Sequence, residues 1–244
     1  MRGFFALFAL GGLIGNGIFT QSGDSARRLE SYAVTGLRDL EARVVVEKAD
    51  LPQLEKINKD FAILYRLKDV TIRYKDPDKL RMENRLGVFI VNGPIRYLRV
   101  PQLGLRKRDD MGAELSKRHS LLDIGVLTPS RLEQLRWTYL RDETMGGRDV
   151  PVFEIGFRDD ETTRYRIWMD PARKCLTRRR WLDAQGNTRA TFDYLQPIEV
   201  LPAVWVPTRL EVRNAENALA GAVRYEELKV NQDPPDALFD TEQK

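Results

Sequence analysis

Residues 150–195 read VPVFEIGFRDDETTRYRIWMDPARKCLTRRRWLDAQGNTRATFDYL, and the period of two in this stretch decides the fold. Phe153, Ile155 and Phe157 alternate with other residue types, as do Tyr165, Ile167 and Met169. Asp159-Asp160-Glu161, Asp170-Pro171 and Asp183-Ala184-Gln185-Gly186-Asn187 separate the runs. Alternation of this kind marks half-buried strands, and Asp, Asn, Gly and Pro supply the turns between them. Strands are therefore predicted at 152–157, 164–169, 175–182 and 188–195, with two more at 205–213 and 222–230. No crossover helix interrupts the series, so neighbouring strands run antiparallel.

Upstream the same grammar recurs. Val70, Ile72 and Tyr74 point one way and Thr71 and Arg73 the other, and short strands follow at 80–84, 88–92 and 96–100, split by Gly87 and by Asn92-Gly93-Pro94. Asp50-Leu51-Pro52 signals a helix start, and Leu51, Leu54, Ile57, Phe61 and Leu64 recur at helical spacing, so a helix is expected to cover one face of the sheet. Leu29, Tyr32, Ala33, Leu37 and Leu40 fit one face of a further helix from Ser25 to Leu40, ahead of a strand at 42–49. Residues 112–135 break the strand pattern, and Thr128-Pro129-Ser130 within them reads as a helix N-terminus. The polar, Pro-containing tail after Asn231 is expected to trail along a sheet edge. The whole reads as one large antiparallel sheet, curved or partly closed, in a single domain over 25–244 with a helical insert at about 112–135.

The N-terminus differs in kind. Arg2 precedes an uncharged apolar run from Gly3 to Phe19, then small and polar residues through Ala26. These are the three regions of a secretory signal over residues 1–22, with cleavage before Gly23, so export to the periplasm is expected; an uncleaved inner-membrane anchor is the alternative. No cysteine follows the apolar run, which excludes acylation at a mature N-terminal cysteine.

Composition narrows the chemistry. The chain has 244 residues, 42% hydrophobic and 31% charged, a balance that supports a buried core under a wet surface. The net charge of +4 is spread thinly, and its two dense places, Arg106-Lys107-Arg108 and Arg178-Arg179-Arg180, read as solvated strand charges rather than a nucleic-acid stripe, with contact to anionic lipid headgroups as the alternative. One cysteine, Cys175, and one histidine, His119, leave no disulfide framework and no metal cluster. His119-Ser120 adjacency does not make a catalytic pair, Asp109-Asp110 and Asp159-Asp160 read as turn carboxylates, and Gly146-Gly147 reads as a hairpin turn rather than a phosphate loop. No catalytic residue, metal or cofactor is therefore expected. What stands out is an apolar wall of Met82, Phe89, Val91, Phe153, Ile155, Phe157, Tyr165, Ile167 and Met169. Such a wall is either plain core or the lining of a cavity for a flexible apolar ligand.

A family resemblance bears on that choice. Lys75-Asp76-Pro77, Leu80-Arg81-Met82-Glu83, Ile90-Val91-Asn92-Gly93, Tyr97 and Pro101 follow one another as in the outer-membrane lipoprotein carrier (LolA-like) superfamily. Trp168-Met169-Asp170, Leu182 to Asn187, Trp205-Val206-Pro207-Thr208 and Leu238-Phe239 also resemble segments of that family, so the likeness runs from about Leu37 to Phe239. It implies an incomplete, strongly curved antiparallel β-barrel, mainly β with a helical lid (α+β). It also implies a monomeric periplasmic carrier of lipid or lipoprotein acyl chains, with sorting partners at the inner or outer membrane. The wall would then line the cavity, and Leu121, Leu122, Ile124, Val126 and Leu127 would form a mobile lid, with Lys117 and Arg118 in water. The chain departs from the family in three places: Asp76 stands where many carriers have a basic residue, the 50–64 helix is inserted, and the segment 107–135 is longer and more charged. The alternative is a structural or regulatory envelope module of the same fold that binds a protein partner and no lipid.

Overall fold

The computed structural model describes residues 27–66, 69–112 and 115–242; the expected leader lies outside them. Thirteen strands form one antiparallel sheet: β1 (Asp39–Ala49), β2 (Val70–Lys75), β3 (Lys79–Asn84), β4 (Gly87–Asn92), β5 (Ile95–Val100), β6 (Leu105–Asp110), β7 (Leu135–Met145), β8 (Arg148–Phe157), β9 (Asp160–Met169), β10 (Leu176–Leu182), β11 (Thr188–Leu201), β12 (Val204–Asn214) and β13 (Leu219–Val230). Their spatial order is β6-β5-β4-β3-β2-β1-β13-β12-β11-β10-β9-β8-β7. The first and last strands thus pair in the middle of the sheet. The two edges, β6 and β7, are consecutive in sequence and do not pair with each other, so the sheet stays open.

Cross-strand partners share a face, and their register separates an apolar face from a charged one. Tyr139, Phe153, Ile167, Arg179, Phe192 and Val212 form one row across β7 to β12, and Ala42, Ile72, Met82, Phe89 and Leu98 form another across β1 to β5. Residues from both arms of the sheet meet in one core cluster together with Leu121, Leu122, Ile124, Val126 and Leu127, so the sheet curves around the segment joining its edges. The opposite face carries ion pairs, among them Arg73 with Glu41 and Glu83, and Arg209 with Glu47 and Glu211. Surface pairs like these add little stability individually.

Two helices, α1 (Leu51–Ile57) and α2 (Lys59–Arg66), cover the sheet near β1, β12 and β13. The Asp50 side chain accepts from the Gln53 amide as the expected cap, and Asn58, in extended conformation, splits the single predicted helix in two. Leu54 and Ile57 are buried.

The helix expected over 25–40 is not formed among the described residues. Leu29–Tyr32 make one 3-10 turn, Gly36 is left-handed at φ +87, and the chain enters β1 at Asp39. Leu29, Tyr32, Leu37 and Leu40 are still buried, because an extended segment lying on the core can bury residues whose spacing also suits a helix. The tail does not follow an edge either. Its 3-10 turn Asp236–Phe239 lies across the charged face, where Leu238 and Phe239 cover Ile90 and Tyr97. Burial of these four apolar groups outweighs the polarity of the surrounding tail.

Candidate functional site: the apolar concave face and its cover

The segment between β6 and β7 fills the hollow of the sheet. Residues 115–134 hold two 3-10 turns (Leu115–Lys117 and Leu121–Ile124) and one helical turn, α3 (Pro129–Leu132). The helical cover expected over 112–135 is therefore largely irregular. Gly125, left-handed at φ +92, ends the second turn, while Pro129 is tolerated only at the start of the third. The second and third turns are capped: Ser120 and Asp123 make a reciprocal capping box, and the Thr128 hydroxyl accepts from the Arg131 amide, as the Thr-Pro-Ser signal implied.

The structure brings the sequence-predicted residues together. Val91, Phe153, Ile155, Phe157, Ile167 and Met169 are buried, Met82, Phe89 and Tyr165 are half-buried, and all nine belong to the cluster that contains Leu121, Leu122, Ile124, Val126 and Leu127. Phe153 is ringed by Tyr32, Trp137 and Tyr139, each with its centroid 5.8 Å away in edge-to-face geometry. On the other arm Phe89 meets the His119 ring edge-on at 6.1 Å. The hollow is packed in this form. An apolar gap of about 30 Å³ beside Met82, Phe89 and Leu98 is far below the roughly 300 Å³ at which ligand pockets begin. A further groove of about 130 Å³, at Arg136, Glu154, Gly156 and Arg164, is open and lies along β7 to β9.

Polar contacts fix the cover at both arms. Thr128 Oγ1 donates to Asp76 Oδ1 at 2.8 Å and Ser130 Oγ donates to Asp76 Oδ2, so the acidic residue that departs from the family pattern still holds the cover, through hydroxyls. Arg118 is not left in water, because its guanidinium donates to Asp78 at 3.0 Å; Lys117 is exposed. Backbone bonds from Val34 to Leu127 (2.8 Å) and from Leu176 to Gly125 (2.9 Å) hold the middle of the segment.

The remaining anchor is Arg179 in β10. It belongs to the arginine run read as solvated; Arg178 and Arg180 are partly exposed, but Arg179 is 8% exposed and faces the hollow. Its guanidinium lies 5.2, 4.8 and 5.9 Å from the ring centres of Tyr165, Phe192 and Tyr194 and donates to Asp123 of the cover at 3.4 Å. Asp123 also accepts from the Ser120 amide at 3.0 Å and from His119 Nδ1 at 3.1 Å, which must carry the proton because a carboxylate only accepts. Burial opposes ionisation of Asp123, but His119, Arg179 and Arg131 together hold its carboxyl well below the usual range. Burial likewise works against the charge on Arg179, and the Asp123 carboxylate opposes that effect. Arg131, 3% exposed, stacks on Phe157 at 5.0 Å and donates to Gln134 and to the Leu115 and Arg118 carbonyls. Alternation alone does not mark Arg179: Trp181 puts it on the apolar face, but buried Leu176 and Leu182 have the opposite parity, and register shifts at both ends of β10 reconcile the two.

Cys175 is buried, and burial pushes its thiol up to about 12, in keeping with a small apolar side chain. Gly146 and Gly147 form the β7–β8 turn. Asp159 and Asp160 sit at the β8–β9 turn, whereas Asp109 and Asp110 end β6, where Asp109 accepts from Arg96 across the strand pair. Among the described residues no group of three potential ligands could hold a metal ion, and no helix is long and apolar enough to cross a membrane.

An open, curved antiparallel sheet with an apolar concave face defines a class of fold, and solved structures share it. An outer membrane lipoprotein-sorting protein domain from Vibrio parahaemolyticus superposes with a TM-score of 0.61 at 16% identity, over 88% of this chain and 94% of that one. A LolA superfamily protein from Nitrosomonas europaea gives 0.56 at 14% identity, over 88% and 96%. A DUF1329 family protein from Desulfovibrio piger gives 0.58 at 13%, over 89% and 95%. The fold is that of the LolA-like superfamily. No protein-family model matches the sequence, and no curated protein matches it.

Proposed function

We propose that this protein is a periplasmic carrier or binder of lipid or lipoprotein acyl chains, and not an enzyme. The observation that carries the proposal is the concave face itself, an apolar surface spanning both arms of the sheet and covered by a segment rather than by a second sheet. An acyl chain would take the place of Leu121, Leu122, Ile124, Val126 and Leu127 against Phe153, Ile155, Ile167 and Met169, exchanging one apolar contact for another. Each buried methylene contributes about 0.8 kcal/mol, so one long chain is enough to offset displacement of the cover. The likeness to a lipoprotein-sorting domain supports the same reading.

The packed hollow favours the other reading, an envelope module of the same fold that binds a protein and no lipid. Native mass spectrometry of the protein purified from its cell envelope, followed by solvent extraction, separates the two. A carrier releases acyl species in near-stoichiometric amount; a lipid-free preparation that also takes up no added oleate would mean the module.

A further inference from the structure

Arg179 is an unusual group to find on an apolar wall. Its neighbours along the row, Ile167 and Phe192, are apolar, and three aromatic rings from β9 and β11 surround its guanidinium. Burying a cation is costly unless well-placed acceptors surround it, and the usual solution is a short, bidentate carboxylate on a rigid neighbouring strand. Arg179 has no such partner among the described residues. Its hydrogen bond goes to Asp123 at 3.4 Å, at the long end of the range, and Asp123 sits on the cover rather than on the sheet. Arg179 Nε has no hydrogen-bond partner among the described residues, and the buried Tyr194 hydroxyl lies beside the guanidinium. Arg131, also buried, adds a second cation near Asp123, and its Nε too is unpartnered. Arg131 belongs to the cover, so on the wall itself the donor left unused is Arg179 Nε.

The cover presents Leu121-Leu122-Asp123-Ile124, three apolar side chains around a single carboxylate. That is the chemistry of a fatty acid. We propose that Arg179, with Tyr194 beside it, is a head-group subsite for a long-chain carboxylate, and that Asp123 occupies this subsite in the closed form as a built-in substitute. The inference rests on the acyl-binding reading and adds the ligand's head group to it. On displacement the ligand's tail takes the place of Leu121, Leu122 and Ile124, and its carboxylate takes the place of Asp123 on Arg179. No covalent step is involved.

Titration of the full-length protein with oleate, oleyl alcohol and acetate, all below aggregating concentration, tests this. Oleate should bind at least tenfold more tightly than oleyl alcohol, and acetate should not bind. Asp123→Asn should raise oleate affinity several-fold by freeing Arg179, while Arg179→Met should remove the preference for oleate and leave oleyl alcohol binding intact. The opposite signs matter, because general damage to the fold would weaken binding in both variants. Should Arg179→Met fail to fold, the wild-type ligand series and Asp123→Asn still decide. Equal binding of oleate and oleyl alcohol would overturn the head-group subsite and leave acyl binding standing. Tighter binding of dodecyl phosphate than of laurate would assign the subsite to phosphate and overturn the carboxylate. Binding of none of these by wild type or by Asp123→Asn would overturn both the subsite and the acyl-binding reading.

Discussion

Asp123 and Arg179 set the behaviour of the hollow at the scale of single residues. The Asp123 carboxyl is held below its ordinary value by His119, Arg179 and Arg131 against the opposing effect of burial, so the folded state binds a proton there less readily than the unfolded chain. Its contribution to stability is therefore complete above the unfolded value of about 4 and is lost as pH falls through the folded one. Urea midpoints of wild type and Asp123→Asn should differ most near neutral pH and converge as the pH drops below about 4. A constant difference across that window would mean that the carboxylate charge is not what anchors the cover. Asp123 was hard to find from sequence because its role depends on a strand more than fifty residues away. Arg179 is hidden between two charged neighbours, and alternation does not single it out, because Trp181 and the pair Leu176 and Leu182 imply opposite parities that only the register shifts of β10 reconcile.

At the scale of elements, the cover is held by its turns as much as by its leucines. Gly125 closes the turn over Leu121–Ile124 at φ +92, and a Cβ at this position would stand 2.8 Å from the Tyr194 ring and 3.0 Å from Pro207. Gly125→Ala should therefore destabilise the protein by about 1–3 kcal/mol, the range for a strained backbone, and should expose residues 115–134 to protease before the sheet is cut. Gly93→Ala is the control: it shares the left-handed backbone, but its nearest atom is 3.7 Å away, so its loss should be smaller. Equal losses would mean that backbone strain alone matters and that the close approach to Tyr194 does not. The strands were legible because alternation and turn residues act locally, as in β8 to β11. The helices were less so. Asp50 marked the true start of α1, but the break at Asn58 and the extended path of Leu37 to Leu40 follow from packing on the sheet, which residue spacing does not encode.

At the scale of the whole molecule, the topology explains why one segment serves as the cover. The sheet runs unbroken from β6 to β7 through the β1–β13 pair, and the chain returns from one edge to the other across the concave face. Family resemblance at the Asp76-Pro77 turn and the Asn92-Gly93 turn was enough to indicate this fold. It did not indicate that the hollow would be filled in the closed form, because side-chain volume on a curved sheet is set jointly by both arms and the cover. A filled hollow makes acyl binding a displacement, so ligand must loosen the cover rather than tighten it. Hydrogen exchange of the full-length protein with and without saturating oleate measures this directly. The account predicts that amides of Leu121 to Leu127, slow without ligand, exchange faster when oleate is bound, while those of β8, β11 and β12 stay protected. Oleate bound with the protection of Leu121 to Leu127 unchanged would contradict it, because the chain would then lie somewhere other than beneath this segment.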